Sequence, residues 1–148
     1  MRRARDPTAD AGDPEATADA RAMVTAHLAA LCGTDDCGTA LTEDVTLTLM
    51  ETGEITHGRT AVAALLAYLH RIAFAAPPTV SMLVAGTEHA MIEAEVAGPH
   101  TGEFAGIAPT GRRVRLPYAI AYDLGPDTIR AVRLYLPLDA LVRQLRET

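Results

Sequence analysis

Val114, Leu116, Tyr118, Ile120, Tyr122 and Leu124 recur at every second position. A period of two puts such side chains on one face of an extended strand. Arg115, Pro117, Ala119, Ala121 and Asp123 take the other face. A run this long reads as a strand at or near the centre of a sheet, and the rest of the chain must fold around it. Upstream, Gly106, Pro109 and Gly111 punctuate an irregular excursion that begins at His100-Thr101-Gly102. Downstream, Gly125-Pro126-Asp127-Thr128 turns the chain into a return strand over 129–136. Pro137 stops it, and Asp139–Leu145 predicts a short terminal helix.

The earlier chain supplies the helices. Asp13-Pro14-Glu15 is a helix start, with a capping acid, proline in the first turn and a second acid against the positive helix end. Met23, His27, Leu28 and Leu31 form its apolar stripe, and Gly33 ends it. A second brief helix is expected from about Asp36, then a strand over Asp44–Glu51 with Val45, Leu47, Leu49 and Glu51 in phase. Thr60 is placed to cap a helix reaching about Phe74, with Val62, Leu65, Leu66, Leu69 and Ile72 buried, until Pro77-Pro78 stops it. His70 and Arg71 fall on its solvated side. Strands are predicted at Thr79–Ala85 and Ala90–Ala97, with Glu93 and Glu95 outward. Helices early and strands late give an α+β pattern.

A chain of 148 residues supports one domain. Residues 1–15 read as a flexible arm and 16–148 as a single domain. The start is charged but has no apolar core, so a secretory signal is not expected, and no apolar run is long enough to span a bilayer. A net charge of −6, with both signs dispersed, disfavours nucleic acid and anionic membrane as partners. Cys32 and Cys37 read as two reduced thiols of a cytoplasmic protein. No metal-ligand spacing and no Gly-rich phosphate loop occurs, so no metal and no cofactor is expected.

The string from His100 to Arg113, the long strand after it, and a final helix carrying Leu141-Val142-Arg143-Gln144-Leu145 resemble SnoaL-like polyketide cyclases. That family belongs to the nuclear-transport-factor-2-like superfamily, with ketosteroid isomerase and limonene epoxide hydrolase. The resemblance covers roughly residues 20–146. It implies an α+β cone: a curved antiparallel sheet wrapped around N-terminal helices in the manner of a cystatin-like α+β barrel, with a short C-terminal helix, enclosing an apolar pocket. It also implies a homodimer and a hydrophobic small-molecule ligand.

Within that resemblance, His27 lies where ketosteroid isomerases place an oxyanion-binding tyrosine. It is read either as a hydrogen-bond donor to a carbonyl oxygen or as a buried histidine satisfied by the backbone. Glu51 ends the strand that carries the isomerase base, and is read either as the base or as a solvated turn carboxylate. His100 faces the pocket mouth or fastens its loop. Arg113, Arg115, Tyr68 and Tyr118 complete the candidate substrate-binding set. The acids that relatives carry in the long strand and on the next one correspond here to Ala119 or Ile120 and to Leu134, which disfavours the usual epoxide-hydrolase chemistry.

Across the last turn, pairing Leu124 with Ile129 sets Asp123 opposite Arg130, Ala121 opposite Val132 and Ala119 opposite Leu134. This small-residue face is expected to line the hollow. The face with Tyr118, Tyr122, Arg133 and Tyr135 is then the subunit contact, unless a bulge reverses the assignment. The function read from all this is a cofactor-free cyclase or isomerase of secondary metabolism, acting on a polyketide- or terpenoid-like substrate. Alternatives are a non-catalytic ligand-binding dimeric module and an epoxide-opening enzyme using Glu51 and Arg113.

Overall fold

The computed structural model describes residues 14–33 and 35–147. Helix α1 (Pro14–Cys32) leads into strands β1 (Leu41–Leu49) and β2 (Glu54–His57), then helix α2 (Arg59–Ala67), which continues as a π-helical turn over Tyr68–Ala73. Strands β3 (Thr79–Ala85), β4 (His89–Pro99), β5 (Arg113–Gly125) and β6 (Thr128–Tyr135) follow, and helix α3 (Leu138–Arg146) ends the chain. The strands form one curved, unclosed sheet in the order β2-β1-β6-β5-β4-β3. The expected α+β architecture is therefore present. Its sheet is mixed rather than purely antiparallel, because β1 runs parallel to β6.

The long alternating run is β5, paired along its length with β4 and beside β6 on its other edge. Its buried residues are Val114, Leu116, Tyr118, Ile120, Tyr122 and Leu124. With Ile92, Ala94 and Val96 of β4 and Val132 and Leu134 of β6, they make the concave face on which α1 and α2 pack.

This reverses the expected assignment of faces. A bulge between Asp123 and Leu124 leaves Leu124 opposite Ile129 but moves Asp123 to Ala131, Ala121 to Arg133 and Ala119 to Tyr135. One extra residue on β6 flips every later pair, since side chains alternate with a period of two. Tyr118 and Tyr122 thus point inward beside Leu134 and Val132, while Ala119 and Ala121 lie outside. The rim ion pair changes partner too, from the expected Arg130 to Arg133, 2.9 Å from Asp123.

Local departures have local causes. The segment after α1 is a turn, not a helix, because Asp36 Oδ1 accepts the Gly38 N–H at 2.8 Å and so holds a tight bend. Helix α2 begins two residues early, after Gly58 at φ 92°, without the expected Thr60 cap. Strand β2, not foreseen, pairs with β1 across the Thr52–Gly53 turn. Helix α1 starts at Pro14. The capping role read for Asp13, and the arm up to residue 13, lie outside the described residues.

The largest change is in the second helix. The turn over Tyr68–Ala73 is π-helical, and more residues per turn delay every later side chain around the axis. His70 falls back to the line of Val62 and Leu66 and is buried, whereas Ile72 is carried out to 54% exposure. Arg71 is not free in solvent either. It donates to the backbone carbonyls of Ala30 (2.6 Å) and Asp35 (2.7 Å), bracing the π turn against the C-terminal end of α1, where a cation is favoured.

Candidate functional site

The concave face encloses a small apolar cavity of about 30 Å³. Its walls come from the π turn (Leu69, His70) and Phe74 just after it, from β4 and β5 (Val96, Val114, Leu116, Tyr118), and from the C-terminal part of the chain (Leu134, Leu136, Leu141). Phe104, on the loop between β4 and β5, closes it. Helix α3 is fixed against β5 by Gln144, which accepts the Arg115 N–H at 2.9 Å and donates to the Arg115 carbonyl at 3.0 Å.

Polar chemistry enters this wall at one place. His70 Nδ1 lies 2.8 Å from the Leu66 carbonyl. A carbonyl only accepts, so Nδ1 carries the proton and Nε2 is left as the acceptor. The Tyr118 hydroxyl, 2.8 Å from Nε2, therefore donates to it. Burial lowers the pKa of His70, opposed in part by the Leu66 hydrogen bond, and raises that of Tyr118. The pair rests neutral, each partner satisfying the other, with a base nitrogen and a hydroxyl donor side by side in a dry wall.

The corner His100-Thr101-Gly102 holds the element that carries His70. Thr101 donates from its hydroxyl to the Ile72 carbonyl (2.7 Å) and from its N–H to that of Ala73 (2.9 Å), and Gly102 donates to Ala73 as well (3.2 Å). These bonds satisfy carbonyls at the end of the π turn that helix geometry leaves open. Glycine is required at 102, since a Cβ there would lie 2.8 Å from the Ile72 oxygen. His100 serves the other side of the corner. Its Nδ1 accepts from the Thr110 N–H (3.2 Å) and lies 3.0 Å from the Thr110 hydroxyl, and its ring packs on Phe74. It fastens the loop and does not line the cavity.

Of the residues singled out from sequence, the structure brings Tyr118 to the cavity and distributes the others elsewhere. His27 is buried edge-on to Tyr122, ring centroids 5.8 Å apart, with neither ring nitrogen hydrogen-bonded. Burial lowers its pKa to about 4. The Cys37 backbone opposes that effect without reaching hydrogen-bond geometry. Glu51 is exposed in the turn after β1, where its Oε2 accepts the Leu138 N–H at 2.6 Å. It caps α3, whose preceding residue, Pro137, offers no side-chain cap. Arg113 and Arg115 are exposed on the outer face, Arg115 bonded to Glu95 at 2.9 Å. Tyr68 donates its hydroxyl to the Glu103 carbonyl outside the cavity. An epoxide-opening site built on Glu51 and Arg113 is therefore not assembled at the cavity.

His70 is the residue that sequence reading missed. Its signal was present: it follows Leu66 by four positions, the same interval that separates Leu66 from Val62. Both cysteines are free thiols. Among the described residues no three His, Cys, Asp or Glu side chains converge as a metal site would require, and no helix is long and apolar enough to cross a membrane.

The model of the SnoaL-like polyketide cyclase family matches residues 18–145. The chain belongs to that family. No curated protein matches it significantly. Among solved structures, a protein from Jannaschia sp. CCS1 described as a SnoaL-like polyketide cyclase superposes with a TM-score of 0.80 at 16% identity, covering 99% of both chains. A protein with a ketosteroid isomerase-like fold from Catenulispora acidiphila, in complex with trimethylamine, gives 0.65 at 22%, over 82% of this chain and 90% of its own. An epoxide hydrolase of M. tuberculosis, like limonene epoxide hydrolase, gives 0.66 at 21%, over 89% and 92%. Identities this low establish the shared fold. The family match adds support for a small-molecule isomerase- or cyclase-type role.

Proposed function

We propose that this SnoaL-like protein is an isomerase or cyclase that moves a proton on an enolisable ketone of polyketide- or terpenoid-like character, held in the apolar cavity between β5 and the π turn. The observation that carries this reading is the Tyr118–His70 hydrogen bond in the cavity wall. When a ketone enters, the Tyr118 hydroxyl turns from Nε2 to the carbonyl oxygen. Nε2 is then free to take the proton from the α-carbon. The C–H electron pair moves into the carbonyl, and the oxygen that gains charge is held by the tyrosine donor in a low-dielectric site. The imidazolium keeps its Nδ1–H on Leu66, which offsets part of the cost of burying it. Reprotonation at another carbon is isomerisation; attack of the enolate on a second carbonyl is an aldol cyclisation. In the aldol case a C–C bond forms as the second carbonyl's π pair moves to its oxygen, which takes the proton from the imidazolium; neither route calls for a redox or group-transfer cofactor.

The test is α-hydrogen exchange in D2O on a panel of cyclic and polycyclic ketones, followed by NMR. His70→Gln and Tyr118→Phe should each lose activity by about a hundredfold or more. Wild-type rates retained in both variants, or no exchange by the wild type on any ketone, would refute the assignment.

A ligand-holding module without turnover is the second reading. It is favoured by the cavity wall itself, where Leu134 stands in place of a carboxylate. Native mass spectrometry of protein purified from its producing organism separates the two, by showing whether a bound molecule leaves unchanged or as product. In either case we propose a homodimer through the outer sheet face, where Met82, Val84, Met91 and Tyr135 stand exposed around Ala119 and Ala121.

A further inference from the structure

A volume of about 30 Å³ has room for one or two water molecules, far below the roughly 300 Å³ at which pockets for organic ligands begin. Any guest of the kind proposed above must therefore displace part of the wall, and the parts differ greatly in what holds them. Most lining residues sit on helices or sheet strands. Phe74 is bridged to His100, and Leu136 runs directly into α3, whose start Glu51 caps. Phe104 is different.

The loop that carries Phe104 is clamped at both ends. On one side, Thr101 and Gly102 bond the π turn. On the other, the His100 N–H donates to Arg112 at 2.8 Å and the Gly111 N–H donates to His100 at 3.0 Å. Between these clamps, Phe104 and Ile107 exchange two backbone hydrogen bonds, 3.0 and 2.8 Å, around Ala105 (φ 51°) and Gly106 (φ 75°). Two successive left-handed residues make a tight turn, so the tip is a unit closed on itself. Among the described residues, the one hydrogen bond tying segment 103–109 to the rest of the fold is that from the Tyr68 hydroxyl to the Glu103 carbonyl. The segment's remaining hold is apolar: Phe104, packed on Phe74 at 5.5 Å between ring centroids, with half-buried Ile107 against the core beside it. Its other residues are exposed or half-buried.

We infer that Phe104 is the specificity-determining gate of the cavity: a guest enters as the 103–107 tip swings outward on its clamped ends, and the Tyr68 hydroxyl is the latch that holds it shut. The size of the side chain at 104 sets how large a guest fits once the tip recloses. The latch sets how often it opens. This rests on the cavity being the ligand site, as proposed above.

The experiment uses the full chain with toluene and 2-naphthol as probes. NMR shifts of Tyr118 and Leu116 report occupancy of the cavity, and line shapes report exchange. Tyr68→Phe removes one hydrogen bond while keeping the ring. It should speed probe exchange about fivefold, with Kd little changed because both rates rise. Phe104→Ala should raise the affinity for 2-naphthol about tenfold, and less than that for the smaller toluene. Wild-type exchange and wild-type affinity in both variants, with Tyr118 still perturbed by the probe, would overturn the gate and leave the cavity site standing. Probes that leave Tyr118 and Leu116 unperturbed in all three proteins would overturn both. Should Phe104→Ala fail to fold, Tyr68→Phe alone decides the latch.

Discussion

Tyr118 reaches from the inner face of β5 to His70 on the π turn and donates to its Nε2 across 2.8 Å. The two residues lie 48 positions apart in sequence. Burial holds each neutral, and the charge of Arg71 disfavours protonation of His70 further.

The first prediction concerns pH. Burial lowers the pKa of His70 below its ordinary 6.5, so the base form is present throughout the neutral range. The acid limb of kcat/KM should fall below pH 6.5 and persist in the residual activity of Tyr118→Phe, because His70 sets it. No alkaline limb should appear near pH 10, because burial moves the Tyr118 hydroxyl above that value. A pH–rate profile with an acid limb above 6.5 contradicts the neutral pair.

The second concerns His27. Its pKa is about 4 when folded, against 6.5 for an exposed histidine. The unfolded chain therefore binds more protons between these values, so stability is full above about pH 6.5 and is lost as pH falls toward 4. A depression of this size corresponds to at most about 3 kcal/mol. Urea melts between pH 7 and 4.5 should show the loss, and His27→Phe should flatten the slope.

The third concerns Glu51. As the cap of α3, Glu51→Ala should cost about 1 kcal/mol of stability, measured by urea denaturation, with ketone exchange unchanged. A hundredfold loss of exchange in a folded variant would instead restore the role of base that its strand position suggested.

The fourth concerns Gly102. A methyl there would press on the Ile72 carbonyl at 2.8 Å, so Gly102→Ala should destabilise by about 1–3 kcal/mol, as overpacking does. Because the strain falls on the π turn, the His70 imidazole nitrogen shifts should move in the folded variant, whereas those of His89, in the distant β3–β4 hairpin, should not.

The fifth concerns assembly. Ala119→Arg places a large cation in the middle of the proposed outer contact, and should convert a dimer to monomer in sedimentation. A monomeric wild type, or an undisturbed dimer, rules that face out.

How much of this was legible beforehand differs from element to element. Strand β3 was placed at its observed bounds, and β4, β5, β6 and α3 within a few residues, because alternation, Gly/Pro punctuation and helical spacing are local signals. The family string at His100-Thr101-Gly102 was legible as well, although its task of fastening the π turn was not. Tyr118 was marked as a ligand contact but assigned to the wrong face.

The chain's own pattern thus determined its elements, their order and the α+β class, since each is set by neighbours a few residues apart. Three matters were decided only in three dimensions: the bulge that turned Tyr118 inward, the π turn that brought His70 to meet it, and the reach of Glu51 to α3. Each depends on one residue of register or one bond between distant segments. A two-residue period cannot reveal an extra residue on the partner strand, and a regular helical wheel cannot anticipate its own unwinding.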